Sequence, residues 1–448
     1  MQTIDGANAS HTTSIRQVAF ASFIGTAIEW YDFFLYGTTA ALVFPKLFFP
    51  QLSAFSALLA SFGTFGVAFV ARPVGGILFG HFGDRIGRKS MLVITLMLMG
   101  SATFLIGLVP TFNQVGYIAP VLLILLRFLQ GLAVGGEWGG ATLMVIEHAP
   151  EKTRYFYAAW PQTGAAIGGL LSVGVLAVFS ALPDDQFFDW GWRVPFLLSI
   201  FLIAVGLFIR LRIVESPVFT RVKHLGLESR APVIEVLRDY PMAIVLATGV
   251  SFIIYVQTYI INTFVPSYAT AQIGVPRGVV LTGLMLASVA QFCVTVPAGV
   301  VAARVGTRSV ALAGVLMTVF MAFPFFLLID TGSPLLIWLA LGLFPIGNSL
   351  LYGVLGALTA ELFPAHLRYS GISFSNQMAG LPGGAFTPII ATTLVNWSGG
   401  KSWPVAAYLA MAALCSLAAI WFASEKYRVS ITDAHPAGFT PSPQPQPA

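Results

Sequence analysis

Five ionisable residues interrupt long apolar stretches of the sequence: Glu29, Asp32, Arg72, Arg127 and Glu137. A charge at the centre of a bilayer costs about 2.5–3.5 kcal/mol on insertion scales, so such residues mark ion or proton paths. Three acids against two bases leave at least one acid without a basic partner, and that acid is able to take up a proton. Gly25, Glu29, Asp32 and Tyr36 share one helix face by their i, i+4 and i+7 spacings. Glu29 lies about 11 residues into its stretch, roughly 16 Å deep and near mid-membrane. Glu137 lies at a similar depth from the opposite end of its own stretch. Arg127, Gln130, Val134 and Trp138 share a second face, and a buried guanidinium can hold a carboxylate through two parallel hydrogen bonds. This set supports proton loading at Glu29, Asp32 or Glu137 and capture of an organic anion at Arg72 or Arg127. A structural ion pair that only fixes helix packing is the other reading, above all for Arg72.

The elements that hold these residues are membrane helices. Of 448 residues, 57% are hydrophobic and only 9% are charged, against about 25% charged in soluble domains. Apolar stretches fall near 18–45, 56–80, 91–110, 117–147, 156–181, 192–214, 242–268, 278–302, 308–329, 334–361, 369–396 and 403–424. Each is long enough for a span of about 20 residues, and the first is too long for a signal-peptide core. The 44 Gly and 27 Pro suit packed membrane helices. The expected fold is all-α and polytopic, with twelve transmembrane helices. The division read from the sequence is a tail at 1–17, six helices at 18–214, a polar linker at 215–240, six helices at 241–424 and a Pro-rich disordered tail at 425–448.

Placing the N-terminus inside puts 17 of the 23 Lys and Arg on the cytoplasmic side. Four fall outside (Lys46, Arg193, Arg277, Lys401), and Arg72 and Arg127 lie within spans. The positive-inside rule therefore predicts two cytoplasmic termini in a multi-pass inner-membrane protein. An internal repeat divides the chain. Glu147-x-x-Pro150-x-x-x-Arg154-Tyr155 recurs as Glu361-x-x-Pro364-x-x-x-Arg368-Tyr369, each following the fourth span of its half. Gly80-x-x-x-Asp84-Arg85-Ile-Gly87-Arg88-Lys89, in the short loop after the second span, has a weaker echo at Gly299 to Arg308, where Ala303 replaces the acid. Two parallel six-helix halves are the architecture of a rocking transporter.

The second half has no charge inside its spans and offers neutral polar groups instead. Tyr255, Tyr259, Asn262 and Pro266 line one face of the seventh span, and Asn348 and Tyr352 one face of the tenth. Gln291, Asn376 and Gln377, with Gln162 and Tyr36 in the first half, complete the candidate substrate contacts. Singly, each is as readily a packing hydrogen bond, worth about 0.6 kcal/mol in a membrane. The six His are scattered and the two Cys, Cys293 and Cys415, stand in apolar stretches. No nucleophile elbow or phosphate loop is legible, so neither an enzyme nor a cofactor or metal site is expected. The net charge of +5 is accounted for by topology rather than by nucleic acid.

The Gly80 to Lys89 segment resembles the most widespread motif of the major facilitator superfamily, G-x-x-x-D-R-x-G-R-K, at every position. Gly25-Thr-Ala-Ile-Glu29-Trp30-Tyr31-Asp32, Ala71-Arg72-Pro73-Val-Gly75-Gly76 and Arg127-Phe-Leu-Gln130-Gly131 through Glu137-Trp138-Gly139-Gly140 resemble the metabolite:proton symporters of that superfamily. Shikimate and other carboxylate symporters look most similar. The resemblance implies a cytoplasmic gate at Gly80, Asp84, Arg85, Gly87, Arg88, Lys89, Glu147, Arg154, Glu361 and Arg368, with Arg127 tied to proton coupling. It implies symport of a small carboxylate with protons, by a protein expected to act as a monomer. The alternative within the family is a symporter of proline or betaine, although the osmosensing members carry a C-terminal coiled coil that residues 425–448 do not resemble. A receptor is a third reading.

Overall fold

The computed structural model describes residues 15–86, 88–135, 145, 153–212, 232–364 and 367–423. Without water, each backbone group in lipid must find an internal partner, so the apolar runs close on themselves as helices. Among the described residues, ten helices are long and apolar enough to cross a membrane. They are Gln17–Leu42, Ala54–Phe79, Ala159–Ser180, Gly191–Ile209, Pro241–Gln272, Arg277–Val305, Thr307–Asp330, Pro334–Ala360, Ser370–Trp397 and Trp403–Phe422. Val93–Leu108 and Ile118–Val134 are shorter apolar helices and stand third and fourth in order, giving twelve spans.

The packing repeats. The first span lies on the fifth, the second on the fourth, and the third on the fourth and sixth. Likewise the seventh lies on the eleventh, the eighth on the tenth, and the ninth on the tenth and twelfth. Raising each number of the first set by six gives the second. The halves meet where the fifth span packs on the eighth, the second on the eleventh, and the first on the seventh. Small residues permit the closest approaches, as expected where packing rather than hydrophobicity joins helices. A Cβ at Gly131 would strike the Ala68 backbone, and one at Gly75 the Leu132 backbone. These contacts seat the second span directly on the fourth and bring Arg72 and Arg127 toward one another.

One expectation is corrected, and two features were not foreseen. The described part of the Gly80 to Lys89 motif is not a loop: the helix Ala54–Ile86 carries its first seven residues and the next helix starts at Arg88. An interior glycine costs about 1 kcal/mol, too little by itself to end a long helix. The seventh and eleventh spans are not uniform α-helices. They contain wide π turns at Ile260–Phe264, Tyr268–Gln272 and Leu381–Ala385, near Pro266 and at Pro382, where a proline cannot donate the regular bond. Within residues 215–240, Pro232–Asp239 is a helix that buries Val236 and lies on the eleventh span.

Candidate functional site

The Phe33 ring, on the first span, is where the two membrane arginines meet. The Arg72 guanidinium lies 4.2 Å from its centroid and the Arg127 guanidinium 4.3 Å. Arg72 also covers Phe69 at 4.4 Å, and Arg127 covers Tyr36 at 4.1 Å and Phe65 at 4.9 Å. A desolvated cation over an aromatic face gains about 2 kcal/mol, so the rings hold both cations without neutralising them. Phe65, Phe69 and Arg72 follow i, i+4, i+7 spacing on the second span. That periodicity could have revealed the platform from the sequence, where only the arginine was singled out.

Arg127 is fully buried. One of its terminal nitrogens, Nη1, donates to Gln130 Oε1 at 3.0 Å, one turn along the helix. Its Nε and Nη2 are buried with no hydrogen-bond partner, as is Arg72 Nε. Gln130 Nε2 donates to Thr103 Oγ1 at 2.6 Å, and Thr103 donates to the Met99 carbonyl at 3.0 Å. Asp32 is 1% exposed and lies beside Thr103 and Arg127, with Glu29 buried on the turn before it. Neither Asp32 oxygen has a hydrogen-bond partner. Tyr36 donates to Thr64 Oγ1 at 2.7 Å. The predicted cluster of Asp32, Tyr36, Arg72, Arg127 and Gln130 is thus one contiguous buried group built by four spans, with Thr103 and Thr64 as members that no single-helix pattern could supply.

The second half closes this group with neutral side chains. Tyr255 and Tyr259 stack at 6.3 Å on the seventh span. Phe65 meets Tyr259 edge-on at 5.2 Å, and Phe69 meets Tyr259 at 5.3 Å and Tyr255 at 6.4 Å. The aromatic wall is therefore continuous from one half to the other. The Tyr259 hydroxyl, Asn348 Oδ1, Gln377 Oε1 and, from the fifth span, Gln162 Oε1 are buried with no partner. Asn348 Nδ2 donates to Thr258 Oγ1 at 3.3 Å. Tyr352 and Asn376 are buried nearby in the tenth and eleventh spans, and Gln291 is half-buried on the eighth. Asn262 spends its amide on its own helix, donating to the Thr258 carbonyl at 2.9 Å.

Of the remaining candidates, Glu137, Trp138, Glu147 and Gly87 lie outside the described residues, and of Gly80, Asp84, Arg85, Arg88, Lys89 and Arg154 the helical backbone alone is described. Arg368 caps the tenth span by donating from Nε to the Ala360 carbonyl at 3.0 Å, beside a half-buried Glu361. At the opposite face Arg277 pairs with Asp184 at 2.5 Å and covers the Phe187 ring at 4.5 Å, joining the two halves.

A family model described as Major Facilitator Superfamily matches residues 22–386. The chain is 42% identical over 407 residues to the shikimate transporter of Escherichia coli (strain K12), covering 90% of this chain and 92% of that one. It is 32% identical over 413 residues to the proline/betaine transporter of the same strain, covering 90% of this chain and 82% of the relative. Its fold is similar to that of a D-xylose-proton symporter with a TM-score of 0.71 at 18% identity, over 94% of this chain and 100% of the other.

Proposed function

The chain belongs to the major facilitator superfamily, and we propose that within it this transporter is a proton-coupled importer of a small hydroxylated organic acid. The observation that carries the reading is the buried Arg127 guanidinium with Nε and Nη2 unpartnered. Such donors left dry cost about 1–3 kcal/mol or more, and a substrate carboxylate would satisfy them. The unpartnered acceptors Asn348 Oδ1 and Gln377 Oε1 on the facing wall, with Gln162 Oε1 from the fifth span, suit substrate hydroxyls. Shikimate, with one carboxylate and several hydroxyls, has that chemistry, and the 42% identical relative is a shikimate transporter. Asp32, with Glu29 or Glu137, carries the proton. The halves rock about the site, with the Asp84 helix end, Arg154 and the Glu361 to Arg368 segment forming the cytoplasmic gate and both termini in the cytoplasm.

A zwitterionic osmolyte such as proline or betaine is the second reading. The aromatic wall of Phe69, Tyr255 and Tyr259 would suit a quaternary ammonium. Betaine has no O–H or N–H to give to the three amide oxygens, and proline has only the two hydrogens of its ammonium, which favours the hydroxy acid. Proton-driven uptake of labelled shikimate into proteoliposomes, with hydroxy acids and betaine as competitors, separates the two. The expected result is accumulation that a protonophore abolishes and that hydroxy acids, but not betaine, inhibit. Betaine accumulation unaffected by carboxylates would overturn the substrate, and accumulation indifferent to the proton gradient would overturn the coupling.

A further inference from the structure

The hydrogen bonds behind Arg127 have only one consistent direction. A guanidinium only donates, so Gln130 must present Oε1 to Arg127 and Nε2 to Thr103. Thr103 Oγ1 therefore accepts from Gln130, and its single hydrogen goes to the Met99 carbonyl. That carbonyl already takes the regular helix bond one turn on, which makes the threonine back-bond dispensable. The same hydroxyl is within interaction reach of the Asp32 carboxyl, but in the observed rotamer its hydrogen goes to Met99 and neither carboxyl oxygen has a partner in hydrogen-bond geometry. All four side chains are at most 1% exposed, so water has little access to replace any of them.

We propose that Thr103 is a positioning residue that offers its one hydroxyl hydrogen to Asp32 when Asp32 is ionised and withdraws it to Met99 when Asp32 is protonated, while holding Gln130 and Arg127 in place throughout. The hydrogen moves by rotation about the Cβ–Oγ1 bond. Oγ1 itself stays put, so the Gln130 bond survives and the free Arg127 nitrogens keep their aim. In the observed arrangement the Thr103 hydrogen goes to Met99; a buried carboxylate without donors is strongly disfavoured, so ionisation of Asp32 would draw that hydrogen toward it. The groups that face Asp32 are Glu29 on its own span, the neighbouring Tyr31 and Arg127 from the fourth span, with Arg72 of the second span across Phe33 from Arg127. Of these, Tyr31 spends its hydroxyl hydrogen on the Pro195 carbonyl at 2.6 Å, and a guanidinium cannot turn a hydrogen without moving as a whole. The inference rests on the reading that Asp32 carries the coupled proton.

The test is the pH dependence of uptake and the substrate KM in proteoliposomes for wild type, Thr103→Val, Thr103→Ser and Asp32→Asn. Thr103→Val keeps the shape and removes the hydroxyl. It should move the pH midpoint of uptake by about one unit, the scale of one hydrogen bond to a charged group, and raise KM about tenfold as Gln130 loses its acceptor. Thr103→Ser should restore the wild-type midpoint. A Thr103 that merely packs would lower the amount of active protein and leave midpoint and KM where they are, which overturns the inference. If Asp32→Asn still accumulates substrate against its gradient, the underlying proton assignment fails instead, and the two failures are thereby distinct. Should Thr103→Val not reach the membrane, pH-difference infrared spectroscopy of the wild-type protein decides. The protonated-carboxyl band that Asp32→Asn removes should lie at the frequency of an acid carbonyl without a donor. A band at the hydrogen-bonded frequency would sink the proposal.

Discussion

The two halves meet at the site with opposite chemistry and opposite backbone order. The first half brings Asp32, Arg72 and Arg127 on regular α-helices, each cation fixed over aromatic rings. The second half brings tyrosines and amides, and its helices widen into π turns where they touch the first. The Ile260–Phe264 turn lies on the first span and the Leu381–Ala385 turn on the second. A charge in a low-dielectric interior is sensitive to small displacements, so the half that holds charges gains from stiffness. Neutral groups tolerate movement, and π turns often mark functional sites. The difference teaches a division of structure: one half holds the buried charges on regular helices, and the other meets them with neutral groups on helices that widen.

The largest effect expected from breaking this division is at Arg127. Arg127→Ala should lower uptake about 100-fold or more, because truncating a buried charged partner costs about 2–5 kcal/mol. Arg127→Lys should recover little of this, since an ammonium cannot reproduce the planar fork. Uptake rates, alongside thermal shifts with substrate, check both. Near-normal transport by the alanine variant would remove the cation from the binding half.

Asp32→Asn tests the second part of the comparison. The variant should keep counterflow, which needs no net proton movement, and lose accumulation, worth about tenfold for one proton at one pH unit. Asn348→Ala and Tyr259→Phe, in the neutral half, should instead raise KM a few-fold with accumulation intact, because neither group carries a proton at working pH. A coupling defect in either of those variants would move part of the proton path into the second half.

The charged half was more legible in the sequence than the neutral one, and for a physical reason. Asp32, Arg72 and Arg127 declare themselves because a charge in an apolar run has few innocent explanations. The spacing of Arg127 and Gln130 put them on one face, where the structure joins them by a hydrogen bond. Thr103 was invisible, since a threonine in a membrane helix is ordinary and its adjacency to Asp32 exists only once three spans are assembled. The twelve-helix repeat was readable from hydropathy and from the Glu147 and Glu361 segments. The π turns were not, because Leu381-Pro-Gly-Gly-Ala385 reads equally as a kink or a packing notch until the second span is laid against it.

That notch gives the third prediction. Gly384 has no side chain where the Phe69 ring sits, and Gly383 lies against Tyr255 in the same way. Phe69 in turn carries Arg72. Gly384→Ala should overpack this contact by about 1–3 kcal/mol and push the halves apart on the face away from the termini. Spin labels at Ser53 and Ser398, in a background with Cys293 and Cys415 replaced by Ser, should report a longer distance, with uptake reduced about tenfold. An unchanged distance would mean that the π turn yields without transmitting the strain.

The smallest effect belongs to the other link between the halves, the Arg277 to Asp184 pair. Its short distance of 2.5 Å invites the view that it locks that face closed. Exposure argues otherwise: the Asp184 side chain is 75% exposed and that of Arg277 20%. An exposed pair is worth about 0.2–1 kcal/mol and is screened by salt. Arg277 also has its guanidinium over Phe187 and, at 5.3 Å, over Phe188, contacts that do not need the acid. Asp184→Asn should therefore change uptake less than about threefold, and raised salt should reproduce its effect in the wild type. Arg277→Ala should cost more than Asp184→Asn, because it loses the ring contacts as well as the charge. If the two variants were instead equally and severely impaired, the ion pair itself would be the latch, and control of that face would rest on charge in both halves rather than on the packing of the neutral one.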